Sequence, residues 1–165
     1  MNDNTLYDDD ILLWSEQQAA AIRKLGATRR NVPNELDIEN VAEEIEGVGR
    51  SELAAVESLL QLILVHLIKL RVEPDADAVR HWRGEISAFH SEVRRRYSTS
   101  MRQRIDLDGL WRSAREQLLL VYDGAQKQDV AELPAKCPFR LDDLIADRID
   151  SFALPEALQV RHGRR

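Results

Sequence analysis

Apolar residues recur along this chain with the 3.6-residue period of a helix in five stretches, and no stretch alternates as a half-buried strand does. The first stretch follows Tyr7-Asp8-Asp9-Asp10, whose aspartates suit a helix cap and the positive end of its dipole. Ile11, Trp14, Ala21, Ile22 and Leu25 then repeat at helical spacing, and Gly26 is a natural stop. Thr28, Asn31, Pro33 and Asn34 mark residues 27–35 as a loop.

The second stretch places Ile38, Val41 or Ala42, Ile45, Val48, Leu53, Val56, Leu59 or Leu60, Ile63, Leu67 and Leu70 in one phase. That phase holds across Gly47 and Gly49, each of which costs a helix interior about 1 kcal/mol. Two arrangements are therefore open for residues 38–72. One is a single long helix, bent or engaged in an oligomeric contact. The other is a hairpin that turns at Gly47-Val48-Gly49 and restarts at Ser51. Retained phase favours the single helix, which would run about 52 Å at 1.5 Å per residue. From Leu59 it is apolar on much of its circumference, as befits the central strut of a bundle, until Pro74 ends it.

The third stretch starts at Asp75 or Asp77 and carries Val79, Trp82, Ile86, Phe89, Val93 and Tyr97 as a narrow seam, ending at Ser98-Thr99-Ser100. The fourth runs from about Asp108 to Glu132 on Leu110, Trp111, Ala114, Leu118, Val121, Tyr122 and Ala125. Leu133-Pro134-Ala135-Lys136-Cys137-Pro138 is an extended connector, because its two prolines exclude a regular helix. A short helix from Leu141 to about Asp147 follows, and Phe152, Leu154 and Leu158 are suited to stitch the tail back. The expected fold is all-α. It is a bundle of four main helices plus a short C-terminal one, in a single domain over residues 1–165, with 1–7 and 159–165 as frayed tails.

Composition agrees with helices. In 165 residues there are only 7 Gly and 5 Pro, with 44% hydrophobic and 32% charged residues. The lone Cys137 excludes a disulfide scaffold. The net charge of −6 argues against nucleic acid as a default partner, although Arg94, Arg95, Arg96, Arg102 and Arg104 crowd one stretch and Arg161-His162-Gly163-Arg164-Arg165 ends the chain. The N-terminus has neither a basic nor an apolar leader region, and the run Leu59–Leu70 is short of a bilayer span. A cytoplasmic protein with no membrane partner is the expectation.

Taken together, these stretches resemble a bacterial family, the domain of unknown function 29. The resemblance rests on Tyr7-Asp8-Asp9-Asp10 with Trp14 and Gln17-Gln18-Ala19. It continues through Asp37-Ile38-Glu39-Asn40-Val41-Ala42-Glu43-Glu44-Ile45-Glu46, Gly49-Arg50-Ser51-Glu52, His66-Leu67-Ile68-Lys69 and Trp82-Arg83. It ends on Cys137-Pro138-Phe139 with Leu141, Asp142, Leu144, Phe152 and Pro155. One departure is that Ser98-Thr99-Ser100-Met101 lacks the proline of the Ser-Pro-Ser-Leu segment such relatives often carry. The resemblance implies an all-α fold and no activity.

Candidate chemistry is sparse. Glu39, Glu43 and Glu46 share a helix face, with Glu44 beside them, and such a stripe suits a divalent cation, acid–base work or a basic protein partner. A solvated face paired with Arg50 is the plainer reading. His66 falls within the apolar arc of the second helix, where an imidazole is a metal ligand, a general base, or a structural donor to a carboxylate or carbonyl. In a continuous helix Glu43 and His66 lie about 34 Å apart, so they share a site only through a fold-back at Gly47–Gly49. His81 and His90 are off one another's face, and neither a zinc pattern nor a phosphate loop is present. Cys137 reads as a packed, inert thiol, and Trp14, Trp82 and Trp111 as core or interface anchors.

The leading expectation is a non-enzymatic protein-interaction module without a cofactor. It would meet a protein partner, or a second copy of itself, through Glu39, Glu43, Glu46, Arg50 and Lys69. The competing expectation is a metal-dependent hydrolase or nuclease using Glu43, Glu44, Glu46 and His66. A third is nucleic-acid binding through the Arg94–Arg104 patch.

Overall fold

The computed structural model describes residues 4–28 and 32–158. The expected tail 159–165 and its basic end lie outside the described residues, as do residues 1–3 and Asn31 of the first loop. Eight α-helices and one 3₁₀ turn follow in order, and no strand occurs among the described residues. They are α1 (Asn4–Asp9), α2 (Ile11–Thr28), α3 (Ile38–Val72), α4 (Val79–Arg96), the 3₁₀ turn (Thr99–Gln103), α5 (Leu107–Val121), α6 (Gly124–Ala131), α7 (Leu141–Ile145) and α8 (Ala153–Ala157). The chain groups into two compact units: residues up to Ala55 with Arg96–Ile105, and Val56–Arg95 with the residues from Asp106 onward.

Residues 38–72 form one helix of 35 residues, with no turn at Gly47–Gly49. In the first unit, Leu12, Ser15 and Ala19 of α2 are buried, as are Ala42 and Gly49 of α3 and Met101 of the 3₁₀ turn. Gly49 is where α2 comes closest. A Cβ there would stand 2.1 Å from the Ser15 hydroxyl and 3.0 Å from Leu12 Cα. The glycine that offends helix propensity is therefore the one that lets the two backbones approach. The segment expected to fray, residues 4–7, is helical in α1, and Tyr7 of that helix packs edge-on against Trp14. Asp10 alone of the three aspartates caps α2, accepting from the Leu13 N–H at 3.1 Å.

In the second unit, the rest of α3 buries Val56, Leu60, Ile63, Leu64, Leu67 and Ile68 completely or nearly so. Over its most apolar 18 residues α3 is long and apolar enough to cross a membrane, and half of that window is buried within the protein. Core helices of globular domains have the same character. Ile86 and Val93 of α4 and Trp111, Ala114 and Leu118 of α5 are also fully buried.

The expected helix over 108–132 is broken. Tyr122 is extended at ψ 152°, and Gly124 begins α6 at φ +50°, a left-handed conformation open to glycine. The break lets Tyr122 donate its hydroxyl to Glu73. Burial first, then that bond, push the phenol well above its ordinary range. Replacing Tyr122 by Phe should cost about 1.5–3 kcal/mol in denaturant titrations, the worth of a hydrogen bond to a charged acceptor.

The connector after α6 docks on α5. Pro134 accepts from the Trp111 indole at 2.8 Å, the Cys137 N–H donates to Asp108 at 2.8 Å, and Phe139 meets Trp111 edge-on at 6.0 Å. Burial pushes the Cys137 thiol up to about 11, so thiolate is scarce at neutral pH. Of the expected tail anchors, Leu158 is fully buried, and its carbonyl accepts from Arg71 at 2.8 Å.

Candidate functional site

In the first unit the acidic stripe is organised around arginine. Arg23 of α2 contacts Glu39 at 2.9 Å, Glu43 at 3.5 Å and Glu46 at 2.9 Å. Arg50, one to two turns further along α3, contacts Glu43 and Glu46. Hydrogen bonds that Arg23 donates to Glu39 and Glu46 raise the affinity of its guanidinium for its proton. Three of the four candidate carboxylates are thus met by the protein's own cations. Glu44 is exposed and makes no ion pair among the described residues. The same exposed side of α3 shows Val41 and Val48, seven residues apart, at 36% and 46% exposure.

His66 belongs to the second unit. Its imidazole is buried between two acceptors: the Leu62 carbonyl, 2.7 Å from Nδ1, and Glu85 Oε2 of α4, 2.7 Å from Nε2. A carbonyl only accepts, so the hydrogen-bond network assigns a proton to Nδ1. Nε2 faces the carboxylate, which also lies 3.4 Å from exposed His81. Phe89 closes the ring edge-on at 5.6 Å. The arrangement ties α3 to α4. Lys69, one turn on, lays its ammonium 5.4 Å from the centre of the Trp82 ring, a cation–π contact within the protein.

The structure brings together Glu39, Glu43, Glu46, Arg23 and Arg50 within the first unit, and His66, Glu85 and His81 within the second. It does not fold α3 back at Gly47–Gly49, the step that would join Glu43 to His66. Among the described residues no three of His, Cys, Asp or Glu gather in a way that would hold a metal ion. The arginines expected as a basic patch are individually engaged: Arg94 with Asp147, Arg95 with Glu92, Arg96 with Glu52 and Arg104 with Glu16. Arg102 is engaged as well.

Two participants escaped sequence reasoning. Local spacing links Glu85 only to His81, at i, i+4, whereas its main bond reaches His66. Arg23 carries no sequence signal, because it lies outside the apolar positions that define α2.

The family model described as Domain of unknown function DUF29 matches residues 6–149. No curated protein matches the sequence. Among solved structures, the chain is similar to an α-helical protein of unknown function from Rhodospirillum rubrum. The two are 30% identical with a TM-score of 0.80, over 91% of this chain and 95% of that one.

Proposed function

We propose that this chain, which belongs to the family of the domain of unknown function DUF29, is a non-enzymatic protein-interaction module that meets a basic partner through α3. The observation that supports this reading is the exposed face on which Val41 and Val48 stand beside Glu44, which makes no ion pair among the described residues. Exposed apolar side chains bordered by charge are the usual composition of a contact surface. Glu39, Glu43 and Glu46, already paired with Arg23 and Arg50, form the rigid border of that face rather than its free charge. A hydrolase built on Glu43, Glu44, Glu46 and His66 lacks comparable support, because Glu43 and Glu46 turn to arginines and the imidazole to Glu85.

A photo-cross-linking residue placed at Val48, in cells that make the protein natively, tests the reading. A discrete protein adduct is expected from position 48 and none from exposed Gln128 of α6. Glu44→Lys should weaken the adduct about fivefold, since it turns an attractive rim charge repulsive. An adduct of twice the chain mass would make the partner a second copy. Equal labelling from positions 48 and 128, or none from 48, would refute the proposal.

A further inference from the structure

One cleft of the second unit, of about 480 Å³, is basic although the chain is acidic. Helix α4 lines it with Arg83, Ser87, His90 and Arg94, and the segment after α7 adds Arg148 and Ser151. Two sets of hydrogen bonds hold that segment in place. His90 Nε2 donates to the Ala146 carbonyl at 2.9 Å, and Arg94 donates to the Asp147 carbonyl and carboxylate at 3.1 and 2.9 Å. The frame is built before any ligand arrives.

The donors are not exhausted by the frame. Arg83 Nε is buried and has no hydrogen-bond partner among the described residues. Its guanidinium carbon lies over the Phe152 ring, 4.0 Å from the ring centre. Arg148 is exposed and makes no ion pair among the described residues. A guanidinium buried in the wall without an acceptor carries a desolvation cost that an anion in the cleft offsets through its charge. The carboxylate facing these groups is that of Asp147, whose side chain is 96% exposed and free to yield its place on Arg94.

We propose that this cleft binds a phosphorylated small molecule, with its phosphomonoester held by Arg83, Arg94 and Arg148. A carboxylate is satisfied by a single guanidinium fork. Three guanidiniums around one cleft match the three terminal oxygens and double charge of a phosphomonoester. The volume is that of a small-molecule site, well beyond a bare phosphate ion. Ile86 and Ile149 offer apolar wall, and the Ser87 and Ser151 hydroxyls offer polar contacts, for the organic part. The site is independent of the face assigned to the protein partner.

Amide NMR titrations of the full chain at constant ionic strength test this, with ribose 5-phosphate, inorganic phosphate, sulfate and a phosphoserine hexapeptide as probes. Ribose 5-phosphate should give saturable shifts at Ser87, Ser91 and Ser151 and bind at least about tenfold more tightly than sulfate. Arg148→Ala, at an exposed position that leaves the fold intact, should weaken it about tenfold, the loss of one charge-assisted contact. Asp147→Asn should tighten it, because it removes the competing charge, and Lys127→Ala should change nothing. The proposal is overturned by absence of saturable shifts, or by an unchanged response in Arg148→Ala. It is also overturned if inorganic phosphate or the phosphopeptide binds as tightly as ribose 5-phosphate, since the site would then belong to a free ion or to a modified protein.

Discussion

Gly49→Ala should destabilise the protein by about 2–4 kcal/mol, whereas Gly47→Ala two positions earlier should stabilise it by up to about 1 kcal/mol. By helix propensity alone the two substitutions are equivalent and both favourable. The surroundings separate them. A Cβ on Gly47 meets only the far end of Arg50, at 3.7 Å, an ordinary contact. A Cβ on Gly49 falls 2.1 Å from Ser15 Oγ, 3.0 Å from Leu12 Cα and 3.1 Å from Leu12 Cδ1. Ser15 can rotate away only by giving up its 2.9 Å bond to the Leu12 carbonyl, and Leu12 Cα moves only if α2 moves. Ser15→Ala in the Gly49→Ala background removes the first clash and leaves the second, so it should restore about half of the lost stability. Urea titrations of the four proteins measure these differences. Equal effects of the two glycine substitutions would mean that α2 does not pack on α3 as described.

The same pair of glycines shows what the sequence could and could not convey. The phase of apolar residues from Ile38 to Leu70 survived both glycines, so continuity of α3 was legible. The reason for tolerating Gly49 was not, because it resides in Ser15 and Leu12, far away in the chain. Periodicity failed where one residue changes the chain direction. Leu118, Val121, Tyr122 and Ala125 keep helical spacing through the break between α5 and α6, and only the turn-forming pair Asp123-Gly124 hinted at it. The candidate sites suffered from the same limit. His66 was recognisable as a polar residue on an apolar arc, but its acceptor Glu85 lies across a helix pair. The basic cleft was invisible, because Arg83 and Arg148 are 65 residues apart and no local pattern links them. Local pattern carried the helices, while tertiary pairing decided which charges are spent and which remain available.

Asp10→Ala should cost about 3–4 kcal/mol, far more than the loss of a surface aspartate. Its carboxylate is buried and accepts four hydrogen bonds: the Leu13 N–H at 3.1 Å, the Ser98 hydroxyl at 2.8 Å, and the Ser100 hydroxyl and N–H at 2.6 and 3.0 Å. The helix cap accounts for about 1 kcal/mol. The remainder comes from donors of the 3₁₀ turn, each orphaned at about 1–3 kcal/mol when buried without an acceptor. The turn that lacks the family's proline is thus fastened by its serines. Burial acts to raise the Asp10 pKa, but the bonds from Ser100, Leu13 and Ser98 outweigh it and hold the carboxyl below its ordinary 3.8. A depressed carboxyl contributes stability that is complete above the unfolded value and is lost as pH falls through the folded one. Asp10→Asn keeps the shape and one acceptor oxygen, so it should cost about half as much as the alanine. Its deficit against the wild type should be constant from about pH 5 to 8 and shrink below about pH 4, where the wild-type carboxyl takes up its proton. Stability measured by urea titration across that range checks both. A deficit that stays constant down to about pH 2.5 would show that the carboxylate's charge is not what secures α2 to the turn.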